Sequence, residues 1–341
     1  MNLLNLVPPE AERYLTEWLA ARNEPPFRLR QILPRLWQRP VSNWGEATEL
    51  PLALRESLDR EVPLPRLECA RRQVSTDGTV KILWQLSDGL AMESVWIPEG
   101  SRTTLCISSQ VGCAYDCAFC ATGKMGFLRH LACWEIASQV REMMLDPDFG
   151  KPSNVVFMGM GEPLHNWDAV DTTLTILNDP NGFQIGARHI TVSTVGVLPG
   201  LAQLAARPEQ FRLAVSLHSA ISERRAALVP VERRYPLLDL QEVLSGFTRR
   251  VTLEYVMIQG VNDGGEDSAA LANLALRLRA MVNLLPLHPG EHDLKPAPPG
   301  NIAQFAQELR RAGVNVTVRR SRGLDISAAC GQLQAEKEIA S

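Results

Sequence analysis

Three cysteines, Cys113, Cys117 and Cys120, fall within eight residues of one another in the stretch GCAYDCAFCATGKMGF, and thiolates so spaced are metal ligands. A 4Fe-4S cluster has four irons to satisfy. Three cysteines leave one iron open to chelation by an amine and a carboxylate, the groups that S-adenosylmethionine carries beside its sulfonium. Electron transfer to that sulfonium would cleave a carbon–sulfur bond and give a deoxyadenosyl radical. The competing reading is a structural zinc site completed by Cys106, His130 or Cys133, but zinc knuckles usually present two separated hooks of paired ligands.

Other residues could serve the same centre. Gly159-Met160-Gly161-Glu162-Pro163 follows an apolar run, so its glycines allow close backbone approach while Glu162 can meet an ammonium group. Ser193 ends one apolar run, and Ser216-Leu217-His218 ends another, offering small polar groups to a shared cleft. His288, in LLPLHP, could reach a cofactor from the far side. Cys330 lies far from the cysteine motif in RGLDISAACGQL. An isolated cysteine is usually a small hydrophobe, yet a flexible Ala-Ala-Cys-Gly loop could bring a nucleophilic thiolate to a sulfonium methyl.

The elements that must position these residues can be read from periodicity. Within residues 1–65, EAERYLTEWLAAR, PFRLRQILPRLWQ and LPLALRESLDREV read as short helices of a small module. Over 66–100, ECARRQVS, TVKILWQL and LAMESVWI, separated by Asp77-Gly78 and Asp88-Gly89, read as an antiparallel β meander. From 101 to 333, six apolar strand candidates (TTLCIS, SNVVFMG, HITVST, FRLAVSL, VTLEYVMI, VNLLPL) alternate with helices expected at 133–146, 165–178, 197–206, 237–250 and 267–280. That repetition predicts an α/β fold with a parallel sheet or partial barrel, and VNVTVRRS reads as a further edge strand. Ligands collect at the carboxyl ends of such strands, where the motifs above fall. Residues 334–341 read as a tail.

Composition bounds the remaining choices. With 341 residues, 45% hydrophobic and 21% charged, the chain can bury one large core and an accessory module. We find no run of about 18 apolar residues and no leader pattern, so no membrane partner and a cytoplasmic location are expected. Seven cysteines, an odd number, suit metal or redox chemistry in a reducing compartment better than a disulfide framework. A net charge of −3 gives no global pull on nucleic acid, so RNA binding would need a local patch. Of 35 basic residues five are lysine and 30 arginine, and Arg28, Arg30, Arg35 and Arg39 make the helical module a candidate RNA contact.

The Cys-x3-Cys-x2-Cys pattern resembles that of the radical S-adenosylmethionine superfamily. More specifically, MESVWIPEG, the cysteine stretch, GMGEPLHN, VSTVG, SLHSA, LEYVMIQGVND, LLPLHP and RGLDISAACGQL follow one another in the order found in radical S-adenosylmethionine adenine-C2 RNA methyltransferases. The resemblance runs from roughly Phe27 to Leu333. It implies a radical-SAM partial (βα)6 barrel that methylates C2 of adenosine 2503 in 23S rRNA and adenosine 37 in tRNA, using two S-adenosylmethionine molecules per turnover and an electron donor such as flavodoxin. It further implies that Cys113, Cys117 and Cys120 hold the cluster, while Gly161, Glu162, Ser193, Ser216, Leu217 and His218 line the cofactor. His288 stands where the family commonly has asparagine. By the same resemblance Cys330 first takes a methyl group, which is then activated by hydrogen removal and added to C2. Glu93 would accept the proton that releases the adduct, and Cys106 would pair with Cys330 in a transient disulfide, or the two residues would exchange roles. A radical is chemically needed because C2 of adenine is electron-poor and cannot attack a sulfonium as a nucleophile. C8 methylation of the same rRNA adenosine and a non-catalytic zinc-stabilised RNA-binding protein are the alternatives.

Overall fold

In the computed structural model, which describes residues 1–288 and 293–335, one mixed sheet of ten strands organises the chain. β1 (Glu68–Val74), β2 (Val80–Gln85), β3 (Ala91–Glu99) and β4 (Arg102–Cys106) pair antiparallel in sequence order, as the Asp-Gly turns anticipate. A short hairpin, β5 (Gln110–Gly112) with β6 (Phe127–His130), stands apart from this sheet and brackets the cysteine stretch. β7 (Asn154–Phe157), β8 (Ile190–Thr194), β9 (Arg212–Ser216), β10 (Val251–Met257), β11 (Met281–Pro286) and the edge strand β12 (Val316–Val318) then continue from β4 in parallel. The six apolar runs expected as barrel strands are thus β4 and β7–β11. Residues at the carboxyl ends of β7 through β11 line one common cavity, so the parallel part of the sheet wraps around it as a partial barrel.

Helices cover the sheet's outer face. The first, Cys133–Leu145, buries Ile136, Ala137, Val140 and Met143 on one side. Those at Trp167–Asn178, Leu198–Ala206, Leu237–Ser245 and Gly265–Arg277 follow the expected repeat, shifted by a few residues. Elements without an expectation include the β5–β6 hairpin, the short helices Ala121–Lys124 and Ser222–Leu228, and the helix Pro299–Arg311, which buries Ile302, Phe305, Ala306 and Leu309.

The N-terminal residues fold against the first barrel helix. Pro8–Ala20 opens with two prolines in its first turn and buries Ala11, Leu15, Trp18 and Leu19. PFRLRQILPRLWQ departs from a continuous helix: it breaks into short turns at Pro26–Arg28, Leu29–Ile32 and Leu33–Arg35, because Pro34 has no N–H to donate. Ile32, Leu36 and Trp37 are nonetheless buried. Arg141, on the barrel helix, is itself buried, and its guanidinium donates to the carbonyls of Leu36 (3.3 Å) and Val41. Burial lowers it to about 10, still a cation at neutral pH. The tail 334–341 lies outside the described residues from 336 onward. Among the described residues no helix is long and apolar enough to cross a membrane.

Candidate active site

The cavity at the strands' carboxyl ends spans about 950 Å³ with its open mouth included, and Cys113, Cys117 and Cys120 all open onto it. Their loop is fixed at both ends. Gln139, from the first barrel helix, clamps Ser108 by accepting from its N–H and donating to its carbonyl, both at 2.8 Å. Farther along, Cys113 N–H donates to Gly126 O (3.0 Å) and Ala118 N–H to Leu228 O (2.9 Å). Gly112, at φ +72°, lies so near Gly126 that an added Cβ would stand 1.8 Å from its carbonyl oxygen.

Burial pushes the Cys113 thiol up to about 12 and raises Cys117 well above the ordinary thiol value, so both become thiolates only against a metal's positive charge. Thiols spread along a cavity wall fit a cluster that takes one iron per cysteine. Cys133, offered above as a fourth zinc ligand, turns into the core instead, with Sγ 3.5 Å from Thr173 Oγ1 and 4.0 Å from Leu4 O.

Opposite the cysteines lie the groups suited to an amino-acid ligand. Gly159 and Gly161 approach neighbouring chain so closely that a Cβ would stand 2.7 Å from Ile107 O and 2.4 Å from Gln110 Cβ. Glu162, 3% exposed, accepts from Leu164 N–H (2.9 Å) and Val195 N–H (2.8 Å). Burial raises it to about 7 despite these bonds, which leaves a carboxyl group readily ionised by a nearby ammonium. Ser193 and Ser216 line the same wall at the ends of β8 and β9. His218, at φ +59°, accepts from Val256 N–H at Nδ1 (3.1 Å), which puts its proton on Nε2. Burial lowers it to about 3, so it is a neutral donor at working pH. Leu217 is buried behind the wall, its N–H given to Glu254 O (3.0 Å).

The far wall is the loop 323–335, and Cys330 on it opens onto the cavity while protein surrounds it closely enough to raise its thiol pKa. The meander grips this loop. Asp77 accepts from Gly323 N–H (3.0 Å), and Asp325 accepts from Ser75 Oγ (2.5 Å) and Thr76 N–H (3.1 Å). Lys81 Nζ reaches Ser327 O (3.4 Å) and pairs with Glu93 Oε1 (3.0 Å), a diagonal neighbour across β2–β3. Glu93 Oε2 accepts from Gln334 N–H (2.7 Å). From the cysteine side, Ala121 N–H donates to Gly331 O (2.8 Å) and Thr122 Oγ1 to Leu333 O (2.6 Å). Cys106, ending β4, is 8% exposed and not a wall residue; burial raises its thiol, and Cys330 adds to the shift from nearby. Both are free thiols here.

Of the residues singled out by sequence, the three motif cysteines, Gly161, Glu162, Ser193, Ser216, His218 and Cys330 share the cavity. Glu93, Cys106 and Leu217 stand behind it, and His288 lines an adjoining cavity, bonded through Nε2 to Ser321 Oγ (2.5 Å). Sequence reasoning missed Glu254 and Arg319, both on the wall. Glu254 is 5% exposed, raised by burial, and accepts from Asn283 Nδ2 (2.9 Å). A lone carboxylate inside VTLEYVMI was the available signal.

A wrapped parallel sheet with three cysteines after its first strand, facing a cofactor-sized cleft, defines a radical SAM enzyme, and residues 107–272 match the Radical SAM superfamily model. The crystal structure of a radical SAM methyltransferase from Sphaerobacter thermophilus superposes with a TM-score of 0.90 at 41% identity, covering 98% of this chain and 100% of that one. A probable dual-specificity RNA methyltransferase RlmN from Gemmatimonas aurantiaca is 56% identical over 338 residues, covering 98% of this chain and 94% of that protein. The dual-specificity RNA methyltransferase RlmN of Syntrophobacter fumaroxidans is 42% identical, covering 94% of this chain and 96% of that protein. This chain belongs to the dual-specificity RNA methyltransferase RlmN family, a radical SAM RNA methyltransferase family that uses a 4Fe-4S cluster and S-adenosylmethionine.

Proposed function

We propose that this chain methylates C2 of adenosine in RNA, at position 2503 of 23S rRNA and position 37 of tRNA, by way of a methyl group carried on Cys330. The observation that carries this reading is that Cys330, some two hundred residues after the cysteine motif, opens onto the same cavity as Cys113, Cys117 and Cys120. A thiol there has no part in holding a cluster that already has its three cysteines, so its use is chemical. In this reading those three cysteines hold the 4Fe-4S cluster. Bound there, the cluster and two S-adenosylmethionine molecules per turnover supply one methyl group and one hydrogen-abstracting radical.

The chain's own residues do the rest. Glu162 meets the methionyl ammonium, and Gly161 lets backbone approach it. Ser193, Ser216 and the Nε2–H of His218 orient the remaining polar groups of the cofactor. Glu93, steadied by Lys81 at 3.0 Å, accepts the proton whose loss frees the product, and Cys106 takes Cys330 into a transient disulfide. Residues 1–65 form a helical module that contacts RNA, 66–100 a β extension, and 101–333 the catalytic barrel with its cysteine loop. A flavodoxin-like donor supplies electrons in the cytoplasm. Nucleoside chromatography of RNA treated anaerobically with the reconstituted enzyme tests the proposal: 2-methyladenosine is the expected product, and 8-methyladenosine would overturn it.

A further inference from the structure

Between the cluster loop and the loop that carries Glu162 lies a buried polar junction that the chemistry above does not use. Its centre is Gln110, the first residue of β5, fully buried and three positions before Cys113. Gln110 Oε1 accepts from Glu162 N–H (2.8 Å), and Gln110 Nε2 stands 3.1 Å from His130 Nδ1 and 3.4 Å from His165 Nδ1. Three elements meet there: β5, its partner β6 with His130 directly opposite Gln110, and the turn Pro163–His165 that follows Glu162. The two imidazoles pack edge to face at 5.1 Å, and the rings of Tyr115 and Phe127 add to the pair.

These bonds fix the state of all three side chains. An amide oxygen can only accept, so the bond from Glu162 N–H places Gln110 Oε1 on that side and turns its NH2 group toward the imidazoles. Each Nδ1 must then accept, so both rings carry their proton on Nε2 and are neutral, in keeping with the burial that lowers both. The fit is close on the other side as well: a Cβ at Gly161 would lie 2.4 Å from Gln110 Cβ, so the chain entering Glu162 runs against this side chain. Backbone bonds join the two loops at Met160, whose carbonyl accepts from Ser109 N–H (2.9 Å) and Gln110 N–H (3.2 Å). Two residues on, the join passes to a side chain, Gln110.

We propose that Gln110 is a positioning residue: it couples the backbone of Glu162 to the cysteine loop, so that the amino-acid end of the cofactor finds its acid in register with the cluster ligands, and His130 and His165 hold the amide to that task. This rests on the reading of Glu162 as the partner of the methionyl ammonium. Glutamine suits the place because one side chain must accept from a peptide N–H and donate to two imidazoles without setting a second negative charge beside Glu162. Packing alone would be met by an apolar side chain of the same length, which would leave the Glu162 amide and both rings without this partner.

The test is a double-mutant cycle on cluster-loaded protein under anaerobic conditions, read as binding of S-adenosylhomocysteine, which keeps the cofactor's amine and carboxylate and has no methyl group to transfer. Gln110→Met, Glu162→Gln and the two combined are compared with the parent. Methylthioadenosine, which lacks the amino-acid end, is the second ligand. Gln110→Met is expected to weaken S-adenosylhomocysteine about tenfold while methylthioadenosine binds within about twofold of the parent. In the Glu162→Gln background the same change is expected to cost less than about threefold, because the group it positions is gone. Losses that simply multiply in the double variant, or equal weakening of both ligands, would overturn the assignment. The outcomes also separate it from the reading beneath it. If Glu162→Gln weakens S-adenosylhomocysteine and Gln110→Met does not, Glu162 keeps its role and the positioning is refuted; if Glu162→Gln binds as the parent does, that role falls and takes the positioning with it. Should Gln110→Met fail to fold or to hold iron, His165→Phe removes one holder of the amide at a half-buried position. A weakening of about threefold that vanishes in the Glu162→Gln background is then expected, and the same loss in both backgrounds would overturn the assignment.

Discussion

The two loops that meet across the first cavity are held by different means. The cysteine loop is fixed mostly by nearby residues: the β5–β6 hairpin closes it, Gly112 and Gly126 touch backbone to backbone, and Gln139 clamps Ser108 before it, with one long-range bond from Ala118 N–H to Leu228 O. The Cys330 loop is held by side chains remote in sequence, Asp77, Lys81 and Glu93 of the meander, and by the turn after the cysteine motif. A ligand set for a cluster needs a rigid, self-contained frame. In the proposed reaction the thiol receives a methyl group, meets RNA and then reaches Cys106, which calls for anchors that release without unfolding the barrel. The meander's use, on this comparison, is to hold the reactive thiol.

Substitutions can separate the two. The largest effect is expected for Gly112→Ala, whose Cβ would stand 1.8 Å from Gly126 O: iron per chain should fall close to zero by colorimetric assay after anaerobic reconstitution, with the thiol loop's anchors untouched. Full iron loading would show that the hairpin does not set the cluster frame. Next comes Lys81→Met, which removes the Lys81 ammonium from Glu93, 2% exposed, and is expected to cost about 3 kcal/mol in urea unfolding of the iron-free protein. A loss under about 1 kcal/mol would mean that the buried pair does not anchor the meander.

A pH effect on the cofactor wall should be smaller. Glu162 stands at about 7 when folded against an ordinary 4.5, so between those values the folded protein keeps a proton that the unfolded chain has released, and stability falls as pH rises through that window. Glu162→Gln removes this slope. Relative to the variant, the iron-free parent should lose on the order of 2 kcal/mol from pH 4.5 to 7, measured by denaturant midpoints; parallel curves would contradict the raised carboxyl. The smallest change is expected for Asp77→Asn/Asp325→Asn, which loosens the thiol loop. Alkylation of Cys330 should quicken several-fold at unchanged iron content, whereas an unchanged alkylation rate would show that these carboxylates do not restrain it.

The same contrast explains what the sequence could disclose. The shared placement of Cys113, Cys117 and Cys120 is legible because three cysteines on one short loop need no distant partner to come together, and β4 with β7–β11 are legible because parallel strands covered by helices are continuous apolar runs. The break at Pro34 was legible in principle and was outweighed by the apolar spacing around it. Asp77 read only as a turn residue beside Gly78, since nothing local reveals that its carboxylate accepts from Gly323 N–H 246 positions away. Lys81 and Glu254 each interrupt an apolar strand, a mark of a buried charge with a purpose, though the partner that gives the purpose is set by the fold.

The central claim is that Cys330 carries the methyl group, and mass spectrometry of its peptide after anaerobic expression tests it most directly. The account predicts a Cys330 peptide heavier by one methyl group in protein that holds its cluster, with that methyl, carried as an isotopic label, passing to RNA when RNA, S-adenosylmethionine and a reductant are supplied. An unmodified Cys330 in cluster-loaded protein, or a methyl that persists through RNA turnover, would contradict it.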